Sequence, residues 1–340
     1  MNIYNPITAL ITFFVIAIVL FFFFRPTKGW FWIIKKNIRS NEKVIIEYIL
    51  KQLYHFENSG NKVDMKTLVQ VLDFNHSRIL DAINKMTIND LIFFESDVLK
   101  LTETGREYAL RIVRVHRLWE RFLADKTGFS KEEWHDRAEL MEHQLTHDDA
   151  EKLAARLGNP KFDPHGDPIP TKTGKMAPVK GIELPLLPGN TVCRITHIED
   201  ELEVIYKQIL AENIHIGSLL RVIENNSMRI VFQSEGEEFK LAPIVAANLT
   251  VAPIEKEIAI EDNIARLSSL QEHETAKIIG ISRESRGESR RRLLDLGFVK
   301  GTEISIDLMN PLGEPNAYFV KGTSIALRKN QAAKILIKKD

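Results

Sequence analysis

The sequence predicts an α+β multidomain protein, in which one N-terminal transmembrane helix precedes a winged helix-turn-helix, a helical middle and two small β modules. Three observations carry this. Residues Met1–Phe24 contain no charged side chain. Between residues 43 and 102, amphipathic helical segments give way to two short strands. Beyond residue 184 the chain turns strand-rich and repeats itself.

The apolar run ALITFFVIAIVLFFFF is nearly long enough alone, and residues 1–24 suffice, to cross a hydrocarbon core of about 30 Å. Arg25, Lys28, Lys35, Lys36 and Arg39 follow it with no acid before Glu42, and Trp30 and Trp32 lie among them. Positive-inside logic puts the N-terminus outside and the bulk of the chain in the cytoplasm. Residues 1–40 therefore read as a single-pass anchor in the cell membrane. No basic stretch precedes the run and no small-residue site follows it, which speaks against a cleaved signal.

Residues 41–115 form the next unit. KVIIEYILKQLYHFE is an amphipathic helix, and two more helices follow, joined by a turn at Asp73–Asn75. LIFFE and VLKLT read as a hairpin before a long helix that starts near Thr104. This order matches a winged helix-turn-helix, with Ser77–Thr87 as the reading helix. Its candidate DNA contacts are Ser77, Arg78, Asn84 and Lys85, with Asp81 opposing them. A small α+β bundle without DNA binding is the alternative. The unit holds ten Lys/Arg against eleven Asp/Glu, so it lacks the basic excess that drives non-specific phosphate binding.

Residues 116–170 carry the chemistry. In HDRAELMEH, His135, Glu139, Glu142 and His143 fall within roughly a 100° arc of one helix face. In HRLWE, His116 and Glu120 stand one turn apart on the preceding helix. These donors form either a metal site or a solvated polar stripe. The histidines at 55, 76, 147, 165, 197, 215 and 273 have no such partners and read as ordinary core or surface residues. DPHGDPIPTKTGKM is a Pro/Gly-rich connector.

The last two units, 184–253 and 266–340, repeat. NTVCRITHI parallels HETAKIIGI, and IGSLLRVI parallels KGTEISID, at an offset of about 84 residues, the mark of tandem β modules. EKEIAIEDNIARLS between them looks like a linker helix. Lys plus Arg equals Asp plus Glu at 46 each, so no global field recruits nucleic acid. The single cysteine, Cys193, excludes an intramolecular disulfide or a thiolate cluster. No nucleophile–base pair, phosphate-cradling glycine loop or HExxH helix points to an enzyme.

HRLWERFLAD, HDRAELMEHQLTHDDAEKL and DPHGDPIP, in this order, resemble the diphtheria toxin repressor family of metal-dependent regulators over about residues 41–253. The second β module looks like a FeoA-type SH3-like domain, and the first is its SH3-like counterpart. The resemblance implies an ancillary metal site of His116, Glu120 and His135. It also implies a primary site of Glu139, Glu142 and His143, and so two ions of Mn²⁺ or Fe²⁺ per protomer. Glu139 stands where iron-sensing members have cysteine, as in the manganese-sensing branch, and a carboxylate suits a hard ion. The family's first-helix ligand aligns with Tyr48, beside Glu47. The first module's ligands align with Leu202 and Ile205, near Glu201 and Glu203. Glu47, Glu201 and Glu203 are therefore candidate extra ligands.

VLFFFFRPTKGWFWIIKK, in turn, looks like the last helix and basic tail of a metal ABC-transporter permease. The implied function is a membrane-tethered, metal-dependent transcriptional regulator that binds palindromic DNA as a homodimer. The alternative is a metal-sensing module or partner of such a transporter, with little or no DNA binding.

Overall fold

The computed structural model describes residues 10–16, 19–20, 41–200, 202–254 and 264–339. Two compact units are present, Met1–Val113 and Arg114–Asp340.

The membrane-spanning helix expected over residues 1–24 is corrected. Among the described residues no helix is long and apolar enough to cross a membrane. The rest of the expected span, apart from residues 19–20, and the basic segment 25–39 lie outside the described residues.

In the first unit, α1 (Glu42–Asn58), α2 (Met65–Val71) and α3 (His76–Ile88) pack with the hairpin β1 (Ile92–Glu95) and β2 (Val98–Leu101). Ile45, Ile49 and Leu53 recur at i, i+4 and i+8 along α1, and each is at most 1% exposed. They meet Leu68 of α2, Ile79, Ile83 and Met86 of α3, and Leu99 of β2 in one core. Each such burial contributes about 1.5–3 kcal/mol, so Ile49→Ala would cost about 2–5 kcal/mol. Asp64 caps α2 by accepting from the Thr67 N–H at 2.8 Å, and Asn75 caps α3 by accepting from Ser77 N–H at 3.0 Å. Those two caps set the turn between the helices.

α4 (Glu103–Lys126) runs on into the second unit, where α5 (Lys131–Glu142) and α6 (His147–Arg156) follow. Leu118 of α4 packs with Leu153 and Ala154 of α6 and with Ile169. Leu123 and Ala124 pack with Trp134 of α5. The segment 163–170 is tied down on α4. Arg117 donates to Pro168 O at 2.7 Å and pairs with Asp167 at 3.2 Å, and Arg114 donates to Pro170 O at 2.6 Å.

Two six-stranded sheets follow, and they share one topology. The first module has β3 (Ile182–Glu183), β4 (Val192–Ile198), α7 (Glu203–Ala211), β5 (Leu219–Asn225), β6 (Ile230–Ser234), β7 (Glu237–Leu241), α8 (Pro243–Ala246) and β8 (Leu249–Pro253). The second has β9 (Ile264–Arg266), β10 (Thr275–Ile281), α9 (Gly287–Asp295), β11 (Glu303–Leu308), β12 (Asn316–Val320), β13 (Thr323–Leu327), α10 (Lys329–Ala332) and β14 (Ile335–Lys339). The strand orders are β3-β8-β4-β5-β6-β7 and β9-β14-β10-β11-β12-β13. Even the register shifts recur, at Ile195/His197 and Ile278/Gly280, and at Val222/Glu224 and Ile306/Leu308. Bulges bend a strand and increase its twist, so the repeated bulges curl both sheets alike.

The expected linker helix is also corrected: Ile264–Arg266 is strand β9, and residues 255–263 lie outside the described residues. Contacts tie the modules together directly. Arg266 pairs with Glu237 through two hydrogen bonds at 2.7 and 2.9 Å, and Ser282 donates to Glu235 at 2.5 Å.

Candidate metal centre

α4 places His116 and Glu120 one turn apart, so both face α5. Their side chains are buried, and Glu120 is 2% exposed. A carboxylate in such a place needs counter-charges. Glu120 Oε1 lies 3.1 Å from His116 Nε2, 3.4 Å from His135 Nδ1 and 3.9 Å from His165 Nε2. Burial alone would raise its pKa, but these imidazoles outweigh burial and hold the carboxyl well below its usual range. Glu120 is thus a hub. His116, Glu120 and His135 offer ligand atoms within 4.8 Å of one another, and so do Glu120, His165 and Asp200.

The second trio was missed in the sequence, where His165 read as an ordinary residue. His165 is 4% exposed, and its Nε2 has no hydrogen-bond partner. That nitrogen lies 3.9 Å from Glu120 and 3.8 Å from Asp200 Oδ2, too far for a hydrogen bond. Two ligand atoms on one cation at about 2.0–2.3 Å each stand about 3–4 Å apart, so the spacing fits an ion between them. Tyr206 Oη lies 3.1 Å from His165 Nδ1. When Nδ1 donates its proton there, the lone pair of Nε2 faces the carboxylates, the usual outer-shell arrangement for a ligating histidine.

The loop that presents His165 is built for that purpose. Asp163 Oδ1 accepts from the His165 N–H at 2.8 Å and from the Asp167 N–H at 2.9 Å. Burial, and then the nearby Asp167 and Glu120, push the Asp163 carboxyl well above its usual range. Gly166 has φ +94°, and a Cβ there would lie 2.2 Å from Thr196 O. The loop therefore lies directly on β4, and Ile198 N–H donates to His165 O at 2.9 Å.

Of the remaining candidates, Glu142 joins this hub through His116, with His143 beside it. His116 Nδ1 lies 2.5 Å from Glu142 Oε2, and His143 Nε2 lies 3.5 Å from Glu142 Oε1. His116 thus stands between the expected ancillary set and Glu142. Glu139 is partly exposed on α5, one turn beyond His135, and has no ion pair or hydrogen bond among the described residues. Glu47 belongs to the first unit, where it accepts from Tyr108 at 2.7 Å; burial, then Glu47, raise the Tyr108 pKa. Tyr48 packs on Phe74, ring centroids 5.3 Å apart. Glu201 and the side chain of Glu203 lie outside the described residues, while the neighbouring Asp200 is the acid that faces His165. Cys193 is fully buried in the first module's core, and burial pushes its thiol up to about 12. The donor set is therefore nitrogen and oxygen only, which suits a hard or borderline divalent ion.

On the reading helix, Asn84 is exposed and Arg78 half-buried. Ser77 Oγ donates to Asn75 at 2.7 Å, and Lys85 pairs with Glu42 at 2.6 Å. Two of the candidate DNA contacts are thus engaged within the unit itself.

Residues 102–171 match the family described as "Iron dependent repressor, metal binding and dimerisation domain", and residues 265–339 match the FeoA domain. The iron-dependent repressor IdeR of Mycobacterium tuberculosis is 34% identical over 125 residues, 36% of this chain and 54% of that protein. The chain thus spans about half the length of that relative. The diphtheria toxin repressor of Corynebacterium glutamicum is 27% identical over 222 residues, 62% of this chain and 96% of that protein. Among solved structures, a manganese-dependent transcriptional repressor in complex with manganese is similar, with a TM-score of 0.54 at 27% identity. That likeness covers 62% of this chain and 100% of the other.

Proposed function

We propose that the chain, which carries an iron-dependent repressor domain and a FeoA domain and is homologous to the iron-dependent and diphtheria toxin repressors, is a metal-responsive transcriptional regulator and not an enzyme. The observation that supports this best is His165 Nε2, a buried nitrogen without a partner between the carboxylates of Glu120 and Asp200. One divalent ion is held by Glu120, with His116, His135, His165 and Asp200 as its available partners. A second is held by Glu139, Glu142 and His143. Mn²⁺ or Fe²⁺ fits these donors. With an ion bound, the clustered carboxylates are neutralised, and α4, α5, the 163–167 loop and the first module are cross-linked.

In this reading a homodimer places two α3 helices in successive major grooves of a palindromic site. Arg78 and Asn84 are the contacts best placed to read it. Tyr48 stands where a first-helix carboxylate would link metal to the DNA-binding unit, so the coupling is weak, about fivefold in DNA affinity. A gel shift with the full chain and a palindromic site, with and without Mn²⁺, tests this. Metal-enhanced binding that Arg78→Ala weakens in both metal states is the expected result; no metal-dependent binding to any such site refutes it.

A second reading is favoured by one observation. The reading helix ties Ser77 and Lys85 internally, in a unit without basic excess. In that reading the chain senses metal but binds DNA little, and the gel shift separates the two.

A further inference from the structure

Apart from the metal cluster, the second unit holds a cleft, partly open to solvent, of about 290 Å³. Three parts meet there: the start of α5, the segment after α7, and the loop into α9 of the second module. Among the polar groups there, two cations lack a carboxylate partner and two buried side chains hold an unpartnered atom. Lys131 Nζ contacts His215 Nδ1 and can donate to it, which leaves the imidazole proton on Nε2. That Nε2 has no hydrogen-bond partner, and His215 is 3% exposed. Ser285, 2% exposed, has an Oγ that is likewise unpartnered. Arg286 reaches the Pro164 carbonyl at 3.5 Å. Among the described residues, neither Lys131 nor Arg286 has a carboxylate within ion-pairing distance. Partly buried cations and buried donors left in this way cost free energy.

We propose that this cleft binds a small, multiply charged oxyanion of the phosphate class, held by Lys131, His215, Ser285 and Arg286. An anion is the ligand class that answers two cations and two buried donors on one wall. Burial, and then the charges of Lys131, Arg286, Arg266 and Lys334, push the His215 pKa down to about 2, and a metal cation would face those same charges. A neutral ligand would leave the two cations uncompensated. Two acids also line the wall, but Glu284 is held by Lys334 at 3.5 Å and Glu132 is exposed. The N-terminus of α9 opens at the same wall with no side chain capping it, adding the positive end of a helix dipole. The volume sits at the small end of ligand sites, about 300–1,000 Å³, and suits phosphate or a small phosphorylated metabolite.

Such an anion bridges α5 to the second module. It also lies close to the metal cluster, because Arg286 donates to Pro164, the neighbour of His165. A small void lined by Lys131, Trp134, His165, Tyr206 and Arg286 separates the two sites.

The test uses the full chain stripped of metal by a chelator, so its outcome is independent of the metal reading. The protein is titrated calorimetrically with inorganic phosphate and, separately, with a nucleoside monophosphate. Saturable binding of one anion per chain is expected, weakened about tenfold in Lys131→Gln and about fivefold in Ser285→Ala. Without anion, Ser285→Ala should melt with the wild type, since its hydroxyl has no partner to lose. Tighter binding of the nucleotide supports a metabolite as the source; equal or weaker binding supports the inorganic ion. No binding at millimolar anion, or binding that both variants leave unchanged, overturns the proposal.

Discussion

The two β modules share strand order, bulge positions and a helix after the first long strand, yet the same loop does different work in each. In the first module the residues after β4 supply Asp200, which faces His165, and α7 supplies Tyr206, which holds the other ring nitrogen. In the second module the residues after β10 supply Ser285 and Arg286, which line the cleft beside α5. Gly166 and Gly287 mark the two docking points. A Cβ on Gly166 would strike β4 at Thr196 O, and one on Gly287 would lie 2.6 Å from Thr127 O, beyond the end of α4. The comparison teaches that the module is a scaffold that presents one loop to the helical region. On the two proposals above, the side chains of that loop decide whether a cation or an anion is served.

Substitutions should separate the two loops. The largest effect is expected from Glu120→Gln, which removes the charge shared by His116, His135 and His165. Metal affinity by calorimetry should fall by more than about 100-fold, beyond what loss of an outer-shell partner costs. Gly166→Ala comes next. Its φ and its contact at 2.2 Å predict a loss of about 2–3 kcal/mol in denaturant unfolding. Asp200→Asn should lower metal affinity about tenfold, whereas Glu284→Gln, in the corresponding loop of the second module, should leave it unchanged. Equal effects of those two substitutions would erase the distinction between the modules.

A smaller effect concerns pH. Burial, then the charge of Arg286, push the Lys131 ammonium down to about 7 from 10.5. The unfolded chain therefore binds the extra proton between these values, and stability rises with pH across that window. Thermal melts of wild type against Lys131→Gln from neutral pH upward check this: the variant should lose that part of the slope.

Much of this architecture is legible in the sequence. Ile45, Ile49 and Leu53 repeat at helical spacing, and the β repeat announced itself in NTVCRITHI and HETAKIIGI. The pairs His116/Glu120 and His135/Glu139 are legible as i, i+4 spacings on two helices. The grouping of His116 and Glu120 with His135, in contrast, is implied only by the family resemblance. His165 and Asp200 were not legible, for a physical reason. They sit on loops, where side-chain direction has no period, and Asp200 reaches the cluster only through the docking of a separate module. The sign that was available was DPHG itself, a histidine inside a Pro/Gly-rich turn flanked by acids. The membrane span read from residues 1–24 has no counterpart among the described residues, where no helix is long and apolar enough to cross a membrane.

The central claim is that Glu120, His165 and Asp200 flank a divalent ion. Crystals of the full chain grown with Mn²⁺, with data collected at a wavelength where manganese scatters anomalously, test it most directly. The account predicts an anomalous peak about 2.0–2.3 Å from both Glu120 Oε1 and His165 Nε2. A structure in which His165 Nε2 instead donates a hydrogen bond to Asp200, with manganese bound only at surface carboxylates, would contradict it.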